Sequence, residues 1–315
     1  HNVVGEYIEH YSKEGDIVFD PFAGSGVTAI EALRRGRKAI ACDLDPMATF
    51  ITWCTATPVE LSSLRSAFSM IEGKIGQEVE ELYLTRCPLC GRSATIEAVI
   101  WHRDEPEEIR YSCTHEKSTG KSLWKDVDQS DLKRLEEIER TNIPYWYPKD
   151  ELVWNSRVNV QRGMKVCDLF TKRNLYALSA IYNVIESIEE PCSKQLMRFC
   201  FTSSLGQASK LVFVYRISGR ERQVGGWATR GYWIPPEYFE INAWNCFEER
   251  FRKLLRGKQE TNAVLGDKVR EASGFEELAN EKNLLVLNQS ATDLSNIPSN
   301  SIDYVFTDPP YGDAV

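Results

Sequence analysis

The sequence has few of the features that place a protein in a membrane or outside the cell. No apolar run approaches the roughly 18 residues that a membrane-spanning helix needs. The nine cysteines are odd in number and unevenly spaced, which argues against the disulfide framework of a small secreted protein. We therefore expect a cytoplasmic protein that has no membrane partner.

Positive charge is also scarce over the chain as a whole. Lys and Arg number 38 against 46 Asp and Glu, and the formal net charge of −8 argues against nonspecific coating of nucleic acid. A local basic track is still present, because residues 207–230 contain five basic residues and only one acidic residue, Glu221. The length of 315 residues suits a sizeable core and about two domains.

Residues 16–26 predict the first unit of a ligand-binding sheet. Apolar residues 17–19 lead into Asp-Pro-Phe-Ala-Gly-Ser-Gly at 20–26, and residues 27–33 have the apolar spacing of a helix. A strand, a glycine-rich turn and a helix begin a doubly wound α/β sheet, which binds ligands beyond the carboxyl ends of its strands. The third glycine of the dinucleotide fingerprint and the Walker lysine are both missing, which disfavours a nicotinamide cofactor or a nucleoside triphosphate.

A second strand is predicted over residues 38–42, and it ends at Asp43. In folds of this kind, an acidic residue at that position holds a ribose through its hydroxyl groups. We predict this role for Asp43, with Asp45 as the alternative. Gly24 and Gly26 would let the backbone approach the same ligand closely.

The other end of the chain carries Asp308-Pro309-Pro310-Tyr311, directly after an apolar strand predicted over residues 301–306. The prolines restrict the backbone and remove N–H donors, so the Asp308 carboxylate and the Pro309 carbonyl can both act as acceptors. Two acceptors suit the two hydrogens of an exocyclic amino group, and Tyr311 offers a stacking surface for the ring that carries it. The alternative is a strand that ends in an ordinary Pro-Pro turn.

Together, the two motifs resemble those of the DNA amino-methyltransferases, which use S-adenosylmethionine to methylate adenine N6 or cytosine N4. The resemblance implies an α/β fold with a Rossmann-like class I methyltransferase sheet. It also implies double-stranded DNA with a flipped target base as the substrate, and a restriction or defence system as a partner. The cofactor motif comes first and the catalytic motif last, around a long insert. In this respect the chain resembles the adenine-specific DNA methylases that contain a zinc ribbon.

The resemblance also implies roles for individual residues. The cofactor-binding residues would be Asp20, Phe22, Gly24, Gly26 and Asp43, together with His1 and Asn2 near the methionine end of S-adenosylmethionine. The catalytic residues would be Asp308, Pro309 and Tyr311. The chain departs from the family at residues 289–291, where an acidic residue often lies near the cofactor adenine. The residue that contacts the adenine therefore stays open.

The long segment between the second and third strands requires a structure of its own. We assign residues 1–57 to the cofactor half of the methyltransferase domain, residues 58–281 to a mostly helical insert, and residues 282–315 to the catalytic strand and motif. The insert opens with apolar residues every three or four positions from Leu61 to Leu82, which predicts a helix. Core packing of this apolar stripe is favoured over a helical stalk.

A zinc ribbon is predicted at about residues 84–118. A Cys-x-x-Cys-Gly sequence forms the turn of a zinc knuckle, and a second pair of ligands follows one short ribbon later. The four ligands of this structural Zn²⁺ site would be Cys87, Cys90, Cys113 and His115. The second pair has a one-residue gap where a knuckle normally has two. The alternatives are His102 as a ligand, a site with three ligands, or a ribbon without metal.

Glycines, arginines and tryptophans interleave in the later part of the insert, and we assign about residues 140–260 to DNA recognition. Arginines suit phosphate contacts, and indoles can stack on a displaced base or wedge beside it. The candidate DNA-binding residues are Arg216, Arg220, Arg222, Trp227 and Arg230. The alternative is a surface loop whose aromatic side chains pack against the helix near Trp244.

The sequence supplies four strands of the predicted sheet, whereas the methyltransferase sheet that it resembles has seven strands. We therefore expect a sheet that is incomplete at its C-terminus and whose last strand is an exposed edge. We also expect the natural chain to continue past Val315, and this fragment to bind cofactor weakly without methylating. Two other functions stay open. One is an RNA guanine-N2 methyltransferase, since some of these carry Asp-Pro-Pro-Tyr-Gly, and the other is a noncatalytic zinc-ribbon DNA-binding protein.

Overall fold

The computed structural model describes residues 2–114, 122–156, 158–216, 222–226 and 231–309. The chain divides into two compact units. The first consists of His1–Leu64 and Leu254–Val315, and the second of Arg65–Lys253. In chain order, the second unit is therefore inserted into the first. Within the described residues, no helix combines the length and the apolar character needed to cross a membrane.

A parallel sheet forms the centre of the first unit. In spatial order its four strands are β10 (Leu284–Asn288), β2 (Lys38–Asp43), β1 (Ile17–Asp20) and β11 (Tyr304–Val305). Each neighbouring pair is parallel, so the carboxyl ends of all four strands lie at one edge of the sheet. The four predicted strands are confirmed. Val305 on β11 is 49% exposed at one side of this described sheet.

Both faces of the parallel sheet are covered, as in a doubly wound fold. Successive strand residues point to opposite faces and enter different buried clusters. One cluster contains Val18, Ala39 and Leu284, and the other contains Phe19, Ile40 and Leu285. The helices that lie wholly in this unit are α1 (Asn2–Tyr11), α2 (Val27–Arg34), α3 (Pro46–Ala56) and α9 (Phe275–Asn280).

Two long helices contain the boundaries between the units, namely α4 (Leu61–Leu82) and α8 (Ala243–Leu265). The apolar stripe predicted on α4 is buried. Ile71, Ile75 and Val79 are at most 4% exposed. This burial favours core packing over a solvent-exposed stalk, as predicted.

The second unit is built around an antiparallel sheet of five strands. They are β3 (Leu84–Arg86), β4 (Ser93–His102), β5 (Glu105–Ser112), β6 (Leu123–Asp126) and β9 (Glu237–Ile241). β5 pairs along one edge of β4, while β3 and β9 share the other edge. A separate hairpin consists of β7 (Val214–Arg216) and β8 (Arg222–Val224). The helices α5 (Gln129–Arg140), α6 (Lys172–Glu186) and α7 (Pro191–Ala208) complete the unit. Most of the regular structure in the described part of the insert is helical, as predicted, and the insert also contains this five-stranded sheet.

A buried polar network lies in the second unit. The Glu240 carboxylate is 2% exposed and accepts two hydrogen bonds from the Arg173 guanidinium, at 2.8 and 3.1 Å. It also accepts hydrogen bonds from the Thr171 hydroxyl at 2.8 Å and the Trp101 indole N–H at 2.7 Å. All four contacts satisfy a charge that would otherwise be costly to bury.

Candidate functional site

The candidate site begins where β1 ends. Asp20, the last residue of β1, is 5% exposed, and its Oδ1 accepts the Phe22 N–H at 3.0 Å. Gly24 and Gly26 then adopt φ angles of +53° and +79°, in the left-handed region that favours glycine. A Cβ on Gly26 would lie 2.7 Å from the Thr52 side chain, whereas one on Gly24 would meet no atom within 4 Å. Packing thus requires glycine at position 26, while position 24 borders open space.

Asp43, at the end of β2, joins this glycine loop to the next helix. Its Oδ2 accepts the Gly24 N–H at 2.8 Å, and its Oδ1 accepts the Asp45 N–H at 2.9 Å. Asp45 instead caps α3 by accepting the Met47 N–H at 2.8 Å. The structure therefore places Asp43 beside the glycine loop and gives Asp45 a capping contact. Each carboxylate oxygen has two lone pairs, so Asp43 retains the capacity to accept ribose hydroxyls.

Three carboxylates gather at this edge of the sheet. Burial raises the pKa of Asp20, and the negative charges of Asp43 and Asp308 raise it further, while hydrogen bonds from Thr28 and the Phe22 N–H act in the opposite direction. Within the described residues, none of the three carboxylates has a Lys or Arg partner in an ion pair. Such a concentration of negative charge suits a positively charged ligand.

The catalytic motif is described as far as Pro309. The Phe306 N–H donates to the Phe19 carbonyl at 3.1 Å, so the chain beyond β11 continues alongside the end of β1. Asp308 is exposed and Pro309 is half-buried. Two predicted residues, Tyr311 and His1, lie outside the described residues. Asn2 begins α1, and its side chain is not described.

Two residues that support the site were missed in the sequence. Thr28 in α2 forms a side-chain hydrogen bond with Asp20. Asn288, at the end of β10, donates from Nδ2 to the carbonyls of Asp43 and Leu44 at 3.0 and 3.1 Å. Its signal was positional, because Asn288 is a polar residue at the carboxyl end of a predicted strand in the same sheet.

Three of the four predicted zinc ligands come together in the second unit. The Sγ atoms of Cys87, Cys90 and Cys113 lie within 4.8 Å of one another, and Cys90 and Cys113 are 3.6 Å apart. Thiolates at about 2.3 Å from a tetrahedral zinc ion lie roughly 3.8 Å from each other, so the three sulfurs fit one ion. The fourth predicted ligand, His115, lies outside the described residues.

Backbone geometry builds the turn that carries two of these thiols. Gly91 has a φ of +71°, and its N–H donates to the Cys87 carbonyl at 2.8 Å. Burial raises the pKa of the Cys87 thiol, but hydrogen bonds from the N–H groups of Cys90 and Leu89 and from the Tyr111 hydroxyl bring it down to about 7. These contacts stabilise a thiolate, which is the form that binds metals.

His102, the alternative fourth ligand, is far from the thiols. It is the last residue of β4, whereas Cys87 precedes β4 and Cys113 follows β5. Thr95 pairs with Ser112, next to Cys113, and His102 lies seven positions after Thr95 along β4. At about 3.3 Å per residue, this separation is roughly 23 Å. The alternative that used His102 is therefore wrong.

The candidate DNA-binding residues are only partly described. Arg216 and Arg222 pair across the hairpin of β7 and β8, and their side chains are not described. Arg220, Trp227 and Arg230 lie outside the described residues. The DNA-binding roles of all five residues stay predictions.

The similarity to known proteins includes the part of the site that contains Asp20 and Asp43. Residues 2–51, which run from α1 into α3, match a family model described as DNA methylase. The similarity is to DNA methylases. The chain is also 35% identical over 78 residues to the Type II methyltransferase M.MvaI of Kocuria varians. This match covers 25% of the chain and only 17% of that relative's length. No solved structure matches the chain.

Proposed function

We propose that this chain carries the cofactor site and the catalytic motif of an S-adenosylmethionine-dependent DNA methyltransferase. The target would be an exocyclic amino group, adenine N6 in preference to cytosine N4, and the enzyme would act in the cytoplasm within a restriction or defence system. The proposal rests on the sheet edge of the first unit. The segment similar to DNA methylases supplies Asp20 and Asp43, and Asp308 of the second motif lies close enough to raise the pKa of Asp20.

The residues at this edge fit S-adenosylmethionine. The cofactor carries a positive sulfonium and an amino group, which complement the carboxylates of Asp20, Asp43 and Asp308. Asp43 would accept the ribose hydroxyls. The open space beside Gly24 leaves room for a ligand close to the backbone. The remaining cofactor contacts would come from Phe22, Gly26, His1 and Asn2. When bound, S-adenosylmethionine supplies a methyl group on an excellent leaving group.

Asp308 and Pro309 would prepare the amino group of the base. The amino nitrogen of adenine or cytosine is a poor nucleophile because its lone pair is conjugated with the ring. The Asp308 carboxylate accepts one amino hydrogen and the Pro309 carbonyl accepts the other. The two hydrogen bonds favour a tetrahedral nitrogen and stabilise the positive charge that develops on it. Tyr311 would hold the flipped base by stacking. Proton loss can follow methyl transfer, so orientation matters more than a strong base.

The functional test uses the full-length natural protein with labelled S-adenosylmethionine. It is incubated separately with duplex DNA and with tRNA, and mass spectrometry then identifies the methylated nucleoside. N6-methyladenine in DNA is the expected product, and N4-methylcytosine would correct the target base. Methylated guanine in tRNA would support the RNA enzyme instead. Absence of any cofactor binding would leave a noncatalytic DNA-binding protein and contradict the proposal.

We also assign a structural zinc ion to Cys87, Cys90, Cys113 and His115 as part of this function. Elemental analysis of the purified protein should find about one zinc per chain, consistent with a closed four-ligand site. Cys87→Ser should lose the metal and lower the thermal stability of the second unit. Cys167→Ser is the matched control, because this half-buried thiol lies outside the cluster and should leave the zinc content unchanged. A metal-free protein of undiminished stability would show that the ribbon works without zinc.

A further inference from the structure

A cleft of about 640 Å³ opens within the second unit. Three segments border it: the turn at residues 103–104 between β4 and β5, residues 159–164, and residues 232–236. Lys210 also lines the cleft. Its volume falls within the range of about 300–1,000 Å³ that is typical of ligand-binding pockets.

The cleft presents cations that are available to an anion. Arg103, Arg162 and Lys210 all line it. Within the part of the chain that the structure describes, neither Arg103 nor Lys210 forms an ion pair. Arg162 likewise forms no ion pair among the described residues, and its guanidinium lies 4.8 Å from the centre of the Trp154 ring. Unpaired cations around one cavity suit a phosphate.

Two acidic residues, Asp104 and Asp168, also line the cleft. Asp104 accepts the Tyr238 hydroxyl at 3.2 Å. Asp168 accepts the Lys165 N–H at 2.8 Å. A hydrogen bond to one oxygen does not cancel the charge of a carboxylate, but three cations, Arg103, Arg162 and Lys210, outnumber the two carboxylates. The balance of charge in the cleft therefore favours an anionic ligand.

Aromatic side chains accompany the cations. Tyr232 and Trp233 line the cleft and are 45% and 44% exposed. Large aromatic side chains with this exposure can stack on a planar ring. A cationic groove combined with exposed aromatic rings is the arrangement that proteins use for single-stranded nucleic acid, in which phosphates meet the cations and bases stack.

The backbone that presents Arg103 is strained. Arg103 and Asp104 have φ angles of +50° and +66°, in a two-residue hairpin turn where glycine and asparagine are the usual choices. The Arg103 N–H donates to the Pro236 carbonyl at 2.8 Å, next to the pairing of His102 with Glu237, and this contact ties the turn to the segment at residues 232–236. Holding a long side chain in a left-handed backbone conformation costs stability, and such strain is concentrated at functional positions.

We propose that this cleft binds an unstacked nucleotide of a DNA strand. Arg103 and Lys210 contact its phosphates, and Trp233 and Tyr232 stack on its base. The residues that line the cleft indicate an anionic ligand that carries a planar ring. The choice of DNA as that ligand rests on the proposed function. In a DNA methyltransferase, such a contact would hold a displaced strand in the second unit.

The test measures the affinity of the chain for a fluorescein-labelled single-stranded oligodeoxynucleotide by anisotropy. Trp233→Ala should weaken binding roughly tenfold, as expected for the loss of one base-stacking contact. The double variant Arg103→Gly/Lys210→Ala should reduce the slope of log affinity against log salt by about 1.4, or 0.7 for each lost phosphate contact. Arg140→Ala is the control for charge. It removes an exposed arginine that does not line the cleft and should change affinity less than twofold.

Arg103→Gly alone gives a second readout that a purely structural role would not produce. Glycine relieves the left-handed strain, so the variant should melt at a higher temperature while it binds the oligonucleotide several-fold more weakly. A variant that is more stable and binds equally well would overturn the assignment of Arg103. Unchanged affinity in Trp233→Ala would likewise overturn the stacking role.

Two further arms separate this proposal from the proposed function. S-adenosylmethionine binding is measured by calorimetry on the same proteins. If the chain binds no cofactor but the cleft variants still weaken its binding to DNA, the methyltransferase proposal alone is overturned. If the chain binds the cofactor and no cleft variant alters its binding to DNA, the proposal for the cleft alone is overturned. Tighter binding of the matching oligoribonucleotide would overturn the choice of DNA, and full competition by inorganic phosphate would reduce the cleft to a simple anion site.

Discussion

Two buried carboxylates in this chain have opposite surroundings. Glu240 in the second unit is 2% exposed and receives hydrogen bonds from an arginine, a hydroxyl and an indole. Asp20 in the first unit is 5% exposed and has no cationic partner among the described residues. Burial raises the pKa of Asp20, and the charges of two further carboxylates, Asp43 and Asp308, raise it further. The protein compensates the charge of Glu240 with a cation, and among the described residues it provides no cation for Asp20.

This difference separates a structural role from a functional one. A buried carboxylate with a complete set of donors stabilises one arrangement of the chain, and its removal leaves its partner cation stranded. A buried carboxylate without a cation costs stability in its ionised form, and either protonation or a positive ligand relieves that cost. Burial alone would not have distinguished Glu240 from Asp20, whereas their partners do.

The largest expected effect comes from Glu240. Glu240→Gln keeps the shape of the side chain but leaves the buried Arg173 guanidinium without a counter-charge, which should cost about 3–5 kcal/mol of unfolding free energy. Urea denaturation would measure this loss. Glu248→Gln is the control, because its i,i+4 pair with Arg252 is on the surface and should contribute less than about 1 kcal/mol. Equal stability of the two variants would mean that the Glu240 network is not structural.

Substitution of the two glycines in the loop after β1 should have an intermediate effect on stability. Gly26 is packed against the protein, whereas Gly24 borders open space. Gly26→Ala places a Cβ against Thr52 in a left-handed conformation, and we expect a loss of about 2–4 kcal/mol in stability. Gly24→Ala has only the conformational cost, about 1–2 kcal/mol, because nothing in the protein opposes its Cβ.

Cofactor affinity distinguishes these two glycines further. The Gly24→Ala methyl group extends into the open space where the ligand is expected, so it should weaken S-adenosylmethionine binding more than its small stability loss suggests. Calorimetric titration of both folded variants would measure this effect. Unaltered affinity in Gly24→Ala would place the cofactor elsewhere.

Asp20 gives the smallest expected change in stability, with a defined pH dependence. Its pKa is raised in the folded state, so the stabilising contribution of the protonated carboxyl is complete below the usual value of 3.8 and is lost as pH rises through the folded-state value. Ionisation of Asp20 as the pH rises therefore costs stability. Asp20→Asn should melt a few degrees higher at pH 7, and this advantage should shrink in acid.

The same substitution should weaken S-adenosylmethionine binding, because it removes one of the negative charges that complement the ligand. Thermal melts across pH 3 to 8, with and without the cofactor, would measure both effects. Asp16→Asn serves as the control. Asp16 directly precedes β1, whereas Asp20 ends it, and Asp16 is not among the charges that shift the pKa of Asp20. A variant that is less stable than the wild type at pH 7 would contradict this account of Asp20.

The parallel sheet was predictable because its strands are apolar runs that end in acidic or polar residues. Asp20, Asp43 and Asp308 could be placed at one edge by the rule that parallel strands share their carboxyl ends. The three clustered cysteines were equally accessible, since a short ribbon returns Cys113 to the Cys87 turn.

The second unit was harder to predict because its strands are short or highly charged. β5 carries Glu105, Glu107 and Glu108, which hide its alternation, and β9 lies 135 residues after the end of β4, with which it pairs. The burial of Glu240 depends on these distant pairings, and so does the cleft beside Arg103. Neither has a local signal in the sequence.

The central claim is that the sheet edge of the first unit binds S-adenosylmethionine through Asp43. Isothermal titration of the cofactor into the wild type, Asp43→Ala and Asp45→Ala tests it most directly. We predict saturable binding to the wild type and a loss of about 2–4 kcal/mol in Asp43→Ala, where charge-assisted hydrogen bonds are removed. Asp45→Ala should lose only its helix cap, about 1 kcal/mol of stability, and keep its affinity. Equal affinity in the wild type and Asp43→Ala would contradict the account.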